Sequence, residues 1–468
     1  MQRRSSRRSF LRAAGALTGA AVLSACATAA PQTVKETVVV REEVVVTATL
    51  EPSALDRSRQ VTLTVAAYGS PSHQRYGDTL KALFEKNNPS VTLKMEYWMG
   101  DDQSFLDSMT ARLVAGNPPD VGFAGGLSWV QQFLATGGIL DLRPFWDLVS
   151  QEEKDDFYPG PLAIYTGKGG ELWAIPHRVF AETVYFWKPA FDEVGLEYPG
   201  EDWTYEDVLL AAKQTQKEAD DRVVRWGWEN WASYGDMWHM APAVWAYGGD
   251  WFNPDYTQFI ADSPEALAGL QVLHDFIWKE KVAPAPSMLS QQQTDTYTMF
   301  ATGFYGMWMQ GSWAYGNLRD KVRGTENANA WDIARLPKGP KGRCTPLASN
   351  PVYAFKATKE PQWTWELVKF WSSTEAMSIA ALVFGTDGAR KSAAGASKDP
   401  SQPPEHADRI SAEMAECGKP APQPPHYSEV MDTFSNIMQQ TFADNKMPVE
   451  QAVAEAKKKI EEILAQPE

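Results

Sequence analysis

The chain has 468 residues, a formal net charge of −15 and 44% hydrophobic residues, a length that calls for two or more lobes rather than one small core. So much negative charge repels phosphate backbones and argues against nucleic acid or an anionic lipid surface as a partner. Beyond the N-terminus no run of about 18 apolar residues occurs, so nothing there reads as a permanent membrane span.

The first element is a leader. Ser6-Arg7-Arg8-Ser9-Phe10-Leu11-Arg12 is charged, Ala13 to Ser24 is weakly apolar, and Leu23-Ser24-Ala25-Cys26 closes it with small residues. That order predicts an export signal over residues 1–25. Five arginines without an acid argue against a buried core helix. The paired arginines resemble a twin-arginine signal, and the Leu-Ser-Ala-Cys end resembles a bacterial lipobox, which implies lipidation of Cys26. Loss of the leader and its five arginines would take the net charge to −20. Residues 26–60 read as the lipidated cysteine and a flexible tether, able to reach about 100 Å at ~3.1 Å per residue.

The globular part opens with Val61-Thr62-Leu63-Thr64-Val65, whose alternation predicts a strand. Tyr76, Leu80, Leu83 and Phe84 recur at helical spacing until Asn87-Asn88-Pro89 stops the helix. Val91, Leu93, Met95 and Tyr97 alternate again. Strand, helix, strand in this space is a βαβ unit and predicts α/β architecture. Asn117-Pro118-Pro119-Asp120 turns the chain into a short buried strand, Val121-Gly122-Phe123. Pro361 fits the first turn of a helix running through Trp365 to Trp371. A last helix begins near Pro448, with Val449, Ala452, Val453, Ala456, Ile460, Ile463 and Leu464 on one face. Segments 393–404 and 419–425, rich in Pro and Ala, read as surface loops.

Side-chain chemistry narrows the function. Nineteen tryptophans are a surplus; their flat apolar faces suit sugar rings, although any single one is as readily core. Six scattered histidines give no metal signature and no cofactor motif is present. With Cys26 set aside, Cys344 and Cys417 are either a disulfide or two free thiols.

Several blocks, in order, resemble the bacterial extracellular solute-binding proteins of the maltose-binding-protein-like group, which serve ABC importers. They are Leu83-Phe84-Glu85-Lys86 before an alternating strand, Pro119-Asp120-Val121, and Gly170-Glu171-Leu172-Trp173-Ala174-Ile175-Pro176 leading through Tyr185-Phe186-Trp187-Lys188 to Asp202-Trp203-Thr204-Tyr205-Glu206-Asp207. The last is Met299 to Trp313, which departs from the family block only in having Gly306 for Ala. The resemblance covers residues 61 to 465. It implies a two-lobe α/β fold of the type II periplasmic-binding-protein kind, with an interlobe cleft and crossing hinge segments, the first near Ile175 to Ala181. The lobes would comprise 61–176 with about 310–355, and 177–309 with about 356–468. It also implies a monomer without catalytic residues, exported and held at the cell membrane by its lipid anchor. Its ligand would be an oligosaccharide or related polyol, and its partners the permease subunits of the importer.

Block matching assigns ligand contacts. Trp313 falls at a stacking position, and Trp238 where relatives place an aromatic facing the cleft, with Trp231, Tyr234, Trp245 and Trp251 nearby. Phe180 takes the place of a carboxylate common in the family, so Glu182 would supply the acid from a shifted position. Tyr68, Gly125 and Trp129 would come from the other lobe, and Arg390 matches a family arginine beside the cleft. The loop 123–129 lacks the Trp and Asp of maltodextrin binders, and Met431 stands where those have a stacking Trp. These departures count against maltose itself. Other readings are an exported glycoside hydrolase using two carboxylates, a sensor or chemotaxis adaptor on the same fold, and a binder of a non-sugar solute such as a glycerol phosphodiester. A phosphorylated ligand would want several cations, for which Arg178 and Arg390 are available.

Overall fold

The computed structural model describes residues 55–467 apart from 69–70, 99–101, 124, 168, 232–234, 290–294 and 399–402, and apart from the side chains of 68, 71, 102, 103 and 287. The export signal, Cys26, nearly all of the tether and Tyr234 therefore lie outside the described residues. So does the side chain of Tyr68, although its backbone ends the first strand.

That strand, β1 (Val61–Tyr68), buries Val61, Leu63 and Val65 as its alternation requires. The helix Pro71–Asn87 buries Tyr76, Leu80 and Phe84, and β2 (Val91–Trp98) returns parallel to β1 with Val65 beside Met95. On the other flank of β1 runs β3 (Val121–Phe123), also parallel. The βαβ opening and the short third strand thus follow the sequence pattern.

The long strand β4 (Ile175–Trp187) is buried at every position. Next come β5 (Lys217–Ala219), β6 (Arg222–Glu229), β7 (Tyr305–Gly311), β8 (Trp331–Ala334), β9 (Thr345–Ala354) and β10 (Gly418–Pro420). The sheet path is β2-β1-β3-β9-β4-β7-β6-β5, with β10 beside β9 and β8 beside β4. Two sets of partner strands share β4. Ile175 to Ala181 pair antiparallel with β9, whereas Glu182 to Phe186 pair with β7 and Val184 to Trp187 with β8. β9 continues from β4 to β3.

The switch at Ala181–Glu182 would leave backbone groups without ladder partners, at a cost when buried. Two hydroxyls and one amide meet that need. Ser312 Oγ accepts from Ala181 N (3.3 Å) and Ser312 N donates to Ala181 O (2.8 Å), while Thr345 Oγ1 accepts from Glu182 N (2.8 Å) and donates to Glu182 O (3.2 Å).

Family-like blocks find structural explanations. Thr204 and Asp207 form a capping box at the start of the helix Tyr205–Thr215. Trp203 Nε1 donates to Arg335 O (2.8 Å), so this tryptophan is core. The helix Pro361–Trp371 begins at its proline as expected and, with Thr374–Phe384, packs on the helix Pro71–Asn87. The last helix, Val449–Leu464, buries the predicted face. No single helix among the described residues is long and apolar enough to cross a membrane. One expectation fails: segment 419–425 is not loop throughout, because Gly418–Pro420 pairs parallel with Thr345–Leu347. In the other expected surface loop, Ala393 and Ser397 are buried.

Cys344 and Cys417 form a disulfide, which settles the alternative the sequence left open. It joins the residue before β9 to the residue before β10 and closes a loop of 73 residues beside the strand switch. Replacing both cysteines by serine should lower unfolding free energy by about 2–5 kcal/mol, the usual cost of losing a native disulfide. Urea unfolding of the variant against the parent, each without reductant, measures this.

Candidate ligand-binding site

Along β4 alternate side chains share a face, so Arg178, Phe180 and Glu182 follow one another on one side of the strand where its pairing changes. A cavity of about 700 Å³ opens beside them, lined by Arg178 and Phe180 of β4, Trp129 and Gly125 after β3, Asn350 of β9 and Trp313 after β7. That volume suits a small-molecule ligand.

Trp313 projects from the turn between β7 and the helix Ala314–Val322. Its ring folds back over Gly311, where an added Cβ would come within 2.1 Å of the indole. The glycine of the Gly-Ser-Trp piece thus makes room for Trp313 itself. The indole meets Phe180 edge-on (centroids 5.8 Å apart, 72° between planes) and lies 5.9 Å from Trp238. It remains half-buried, with surface left toward the cavity. On the opposite wall, Gly125 takes φ +73°, which only glycine adopts freely; its missing Cβ also clears Trp129, whose ring stacks on Phe105 at 4.9 Å.

A polar cluster stands behind Trp313. Trp238 Nε1 donates to the Glu182 carboxylate, and His239 Nε2 lies 3.6 Å from the same oxygen. His239 Nδ1 is 2.7 Å from Asp236 Oδ2, and its Nε2 is 3.3 Å from Gln310 Oε1. Glu182 is 0% exposed. Burial raises its carboxyl to about 7, against the opposing pull of His239 and the Trp238 bond. For His239 burial works downward, but Glu182 and Asp236 overcome it and carry the imidazole up to about 9. Burial also pushes Glu229, which accepts from Trp231 N (3.1 Å), up to about 8.

At the far end of the β4 face, Arg178 donates to Asn350 Oδ1, and Asn350 Nδ2 donates in turn to Gly125 O (2.5 Å). The guanidinium lies over the Phe384 ring at 4.0 Å and the Phe180 ring at 5.2 Å. Burial lowers Arg178 to about 10, which leaves it protonated at neutral pH. Burial, then the neighbouring guanidinium, lowers His73 to about 3 and keeps it neutral.

Of the residues singled out in the sequence, Gly125, Trp129, Arg178, Phe180 and Trp313 border the cavity. Glu182 and Trp238 stand behind Trp313 and do not line it. Arg390 does not line it either: it holds Glu153 (2.9 Å), Asp156 (3.2 Å) and the Ser372 carbonyl (2.7 Å), the arrangement of a structural ion pair. In the aromatic cluster, Trp245 and Trp251 are buried in the core, whereas Trp231 is half-buried with its ring 5.3 Å from His239. Met431 packs, partly buried, against the main core. Sequence reasoning missed His73, Asn350, Asn317 and Phe384. None of them carried a readable signal, since β9 itself mixes Thr345, Ser349 and Asn350 with apolar residues.

Two sets of partner strands sharing one continuous strand, with a cavity at the change of partners, describe a two-lobe α/β binding protein. The model of the bacterial extracellular solute-binding protein family matches residues 70–378, and the chain belongs to that family. A protein of Brucella abortus described as a binding protein is 24% identical over 315 residues, 66% of this chain and 71% of the relative. Among solved structures, an ABC substrate-binding protein of Listeria monocytogenes in complex with cycloalternan superposes with a TM-score of 0.73 at 18% identity, covering 87% of this chain and 100% of the other. The maltose-bound MalE3 of T. maritima gives 0.71 at 21% identity, covering 86% and 100%. The GacH receptor of Streptomyces glaucescens, described unliganded and with acarbose, gives 0.72 at 17% identity, covering 87% and 100%. At these identities the likeness establishes the shared two-lobe fold.

The polar cluster makes stability depend on pH. His239 binds its proton more tightly folded (about 9) than at its ordinary value of 6.5, so its contribution is whole below pH 6.5 and is lost as pH rises through about 9. Glu182 acts in the same direction, its contribution whole below pH 4.5 and lost through about 7. Urea midpoints should therefore fall as pH rises from about 5 to about 9. His239→Gln should lessen the decline above about pH 8, beyond the range where Glu229 contributes, and an unchanged decline there would refute the assignment.

Proposed function

We propose that this protein is the extracytoplasmic substrate-binding lipoprotein of an ABC importer, that it captures a carbohydrate by closing its lobes, and that it is not an enzyme. The observation carrying this reading is Trp313, held at the strand switch with open surface toward a cavity in a solute-binding fold. A flat indole offers a sugar ring its apolar face, while the amides of Asn350 and Asn317 offer partners for hydroxyls. The bound sugars named for solved relatives, maltose and cycloalternan, support the ligand class. Against the hydrolase alternative, no carboxylate lines the cavity among the described residues, and Glu182 is sealed behind Trp313.

On this reading the lobes divide where the ladders do. One contains the β1-to-β3 side with the first part of β4 and the helices Pro361–Trp371 and Thr374–Phe384; the other contains the later part of β4 with β5 to β8. This moves the strands of 310–355 that pair with Glu182–Trp187 away from the lobe that block matching suggests. Phe180, Trp313, Trp129 and Gly125 touch the ligand, and Trp238 and Glu182 fix Trp313. Closure is driven only by the ligand's greater affinity for the closed state. The lipid on Cys26 keeps the protein at the membrane, within reach of the permease.

A thermal-shift panel of oligosaccharides and polyols tests the ligand class. A saccharide at 100 times its dissociation constant should stabilise the fold by about 2.7 kcal/mol, and Trp313→Ala should weaken binding about tenfold or more. No shift with any saccharide would refute the carbohydrate reading. For the anchor, Cys26→Ser expressed in a bacterial host should move the chain from the membrane fraction to the soluble exported fraction.

A further inference from the structure

Arg178 is the only charged side chain among the described residues that line the cavity. It is 6% exposed, and its environment is otherwise neutral: the Asn350 amide oxygen, His73 Nε2 at 3.3 Å, and the faces of Phe384 and Phe180. Its Nε is buried without a partner. Three other buried arginines each stand beside a carboxylate. Arg335 lies 2.6 Å from Glu413, Arg343 3.5 Å from Glu416 and Arg390 2.9 Å from Glu153. A buried cation without a counter-charge is destabilising, and the fold supplies a carboxylate at these three places while leaving the cavity without one among its described residues.

We infer that the ligand brings the missing charge: the cavity takes an acidic saccharide, whose carboxylate or phosphate ester pairs with the Arg178 guanidinium while a sugar ring lies against Trp313. This rests on the carbohydrate reading and narrows it. Phe180 stands between the two anchors, touching the guanidinium on one side and Trp313 on the other, so charge and stacking face are presented along one wall. The guanidinium forms paired hydrogen bonds to planar or tetrahedral anions, which are stronger than neutral ones. His73, neutral beside it, keeps the charge single, matching an anion on one sugar unit rather than a polyanion.

The experiment is calorimetric titration of the full-length chain with matched probes: neutral disaccharides of glucose, galactose and mannose, the same disaccharides with one ring as the uronate, and the same as 6-phosphates. The expected result is that an acidic probe binds at least about tenfold more tightly than its neutral counterpart, with the advantage shrinking only weakly as salt is raised, because the guanidinium is buried. The stronger of the two acidic series identifies carboxylate or phosphate as the group recognised. Arg178→Gln should abolish the preference, so that acidic and neutral probes bind alike, and Arg178→Lys should keep part of it. Should Arg178→Gln fail to fold, the wild-type comparison, its salt dependence and Arg178→Lys decide. Neutral probes binding as tightly as both acidic series would overturn the inference and leave the carbohydrate reading standing. An acidic preference unchanged in Arg178→Gln would overturn it as well. Binding of no saccharide would overturn both.

Discussion

The structure depends on one strand changing partners. β4 is buried from end to end, so every backbone group on it needs a partner, and no one partner strand supplies all of them. The change at Ala181–Glu182 is possible because Ser312 and Thr345 satisfy the backbone there. This arrangement brings the end of β7 and the start of β9 to the same point. Trp313 follows Ser312 directly, and Cys344 precedes Thr345. The cavity wall and the disulfide are thus consequences of where the strand switches.

From that point the site is built outward by packing and charge. Gly311 opens space for the Trp313 ring, Phe180 supports its edge, and Trp238 stands near it while bonding Glu182. Glu182 and His239 pull each other toward the charged pair against burial, which works to neutralise both. The result is a stiff rear wall whose chemistry does not reach the cavity. The charge that does reach it is Arg178, held by neutral groups at the other end of the same face. One strand therefore carries a sealed acid and a buried cation bordering the cavity four residues apart, with an aromatic between them.

Overall acidity and local charge point in different directions. A net −15 disfavours nucleic acid and anionic surfaces as partners, but that field is screened within about 8 Å at physiological salt. A buried guanidinium with neutral neighbours is screened far less, so the character of the cavity is set by Arg178 rather than by the sum over the chain.

The sequence by itself determined much of the local structure and the family. Alternation at Val61–Val65 and helical spacing at Tyr76–Phe84 gave the opening βαβ unit, and Pro361 and Pro448 marked helix starts, because these are short-range constraints of backbone geometry and burial. Ordered blocks ending in Gly311-Ser312-Trp313 carried the resemblance that the family match bears out. Part of the cavity wall was legible too, since Phe180 and Trp313 lie within those blocks. What the sequence could not decide was burial and pairing across long separations. Cys344 met Cys417, and Trp245 and Trp251 went to the core while Trp313 kept an open face. Arg390 found Glu153 and Asp156, whereas Arg178 found only Asn350 and His73. Two arginines look alike in a sequence; whether a carboxylate stands beside one depends on residues far along the chain, and only the packed fold brings those together.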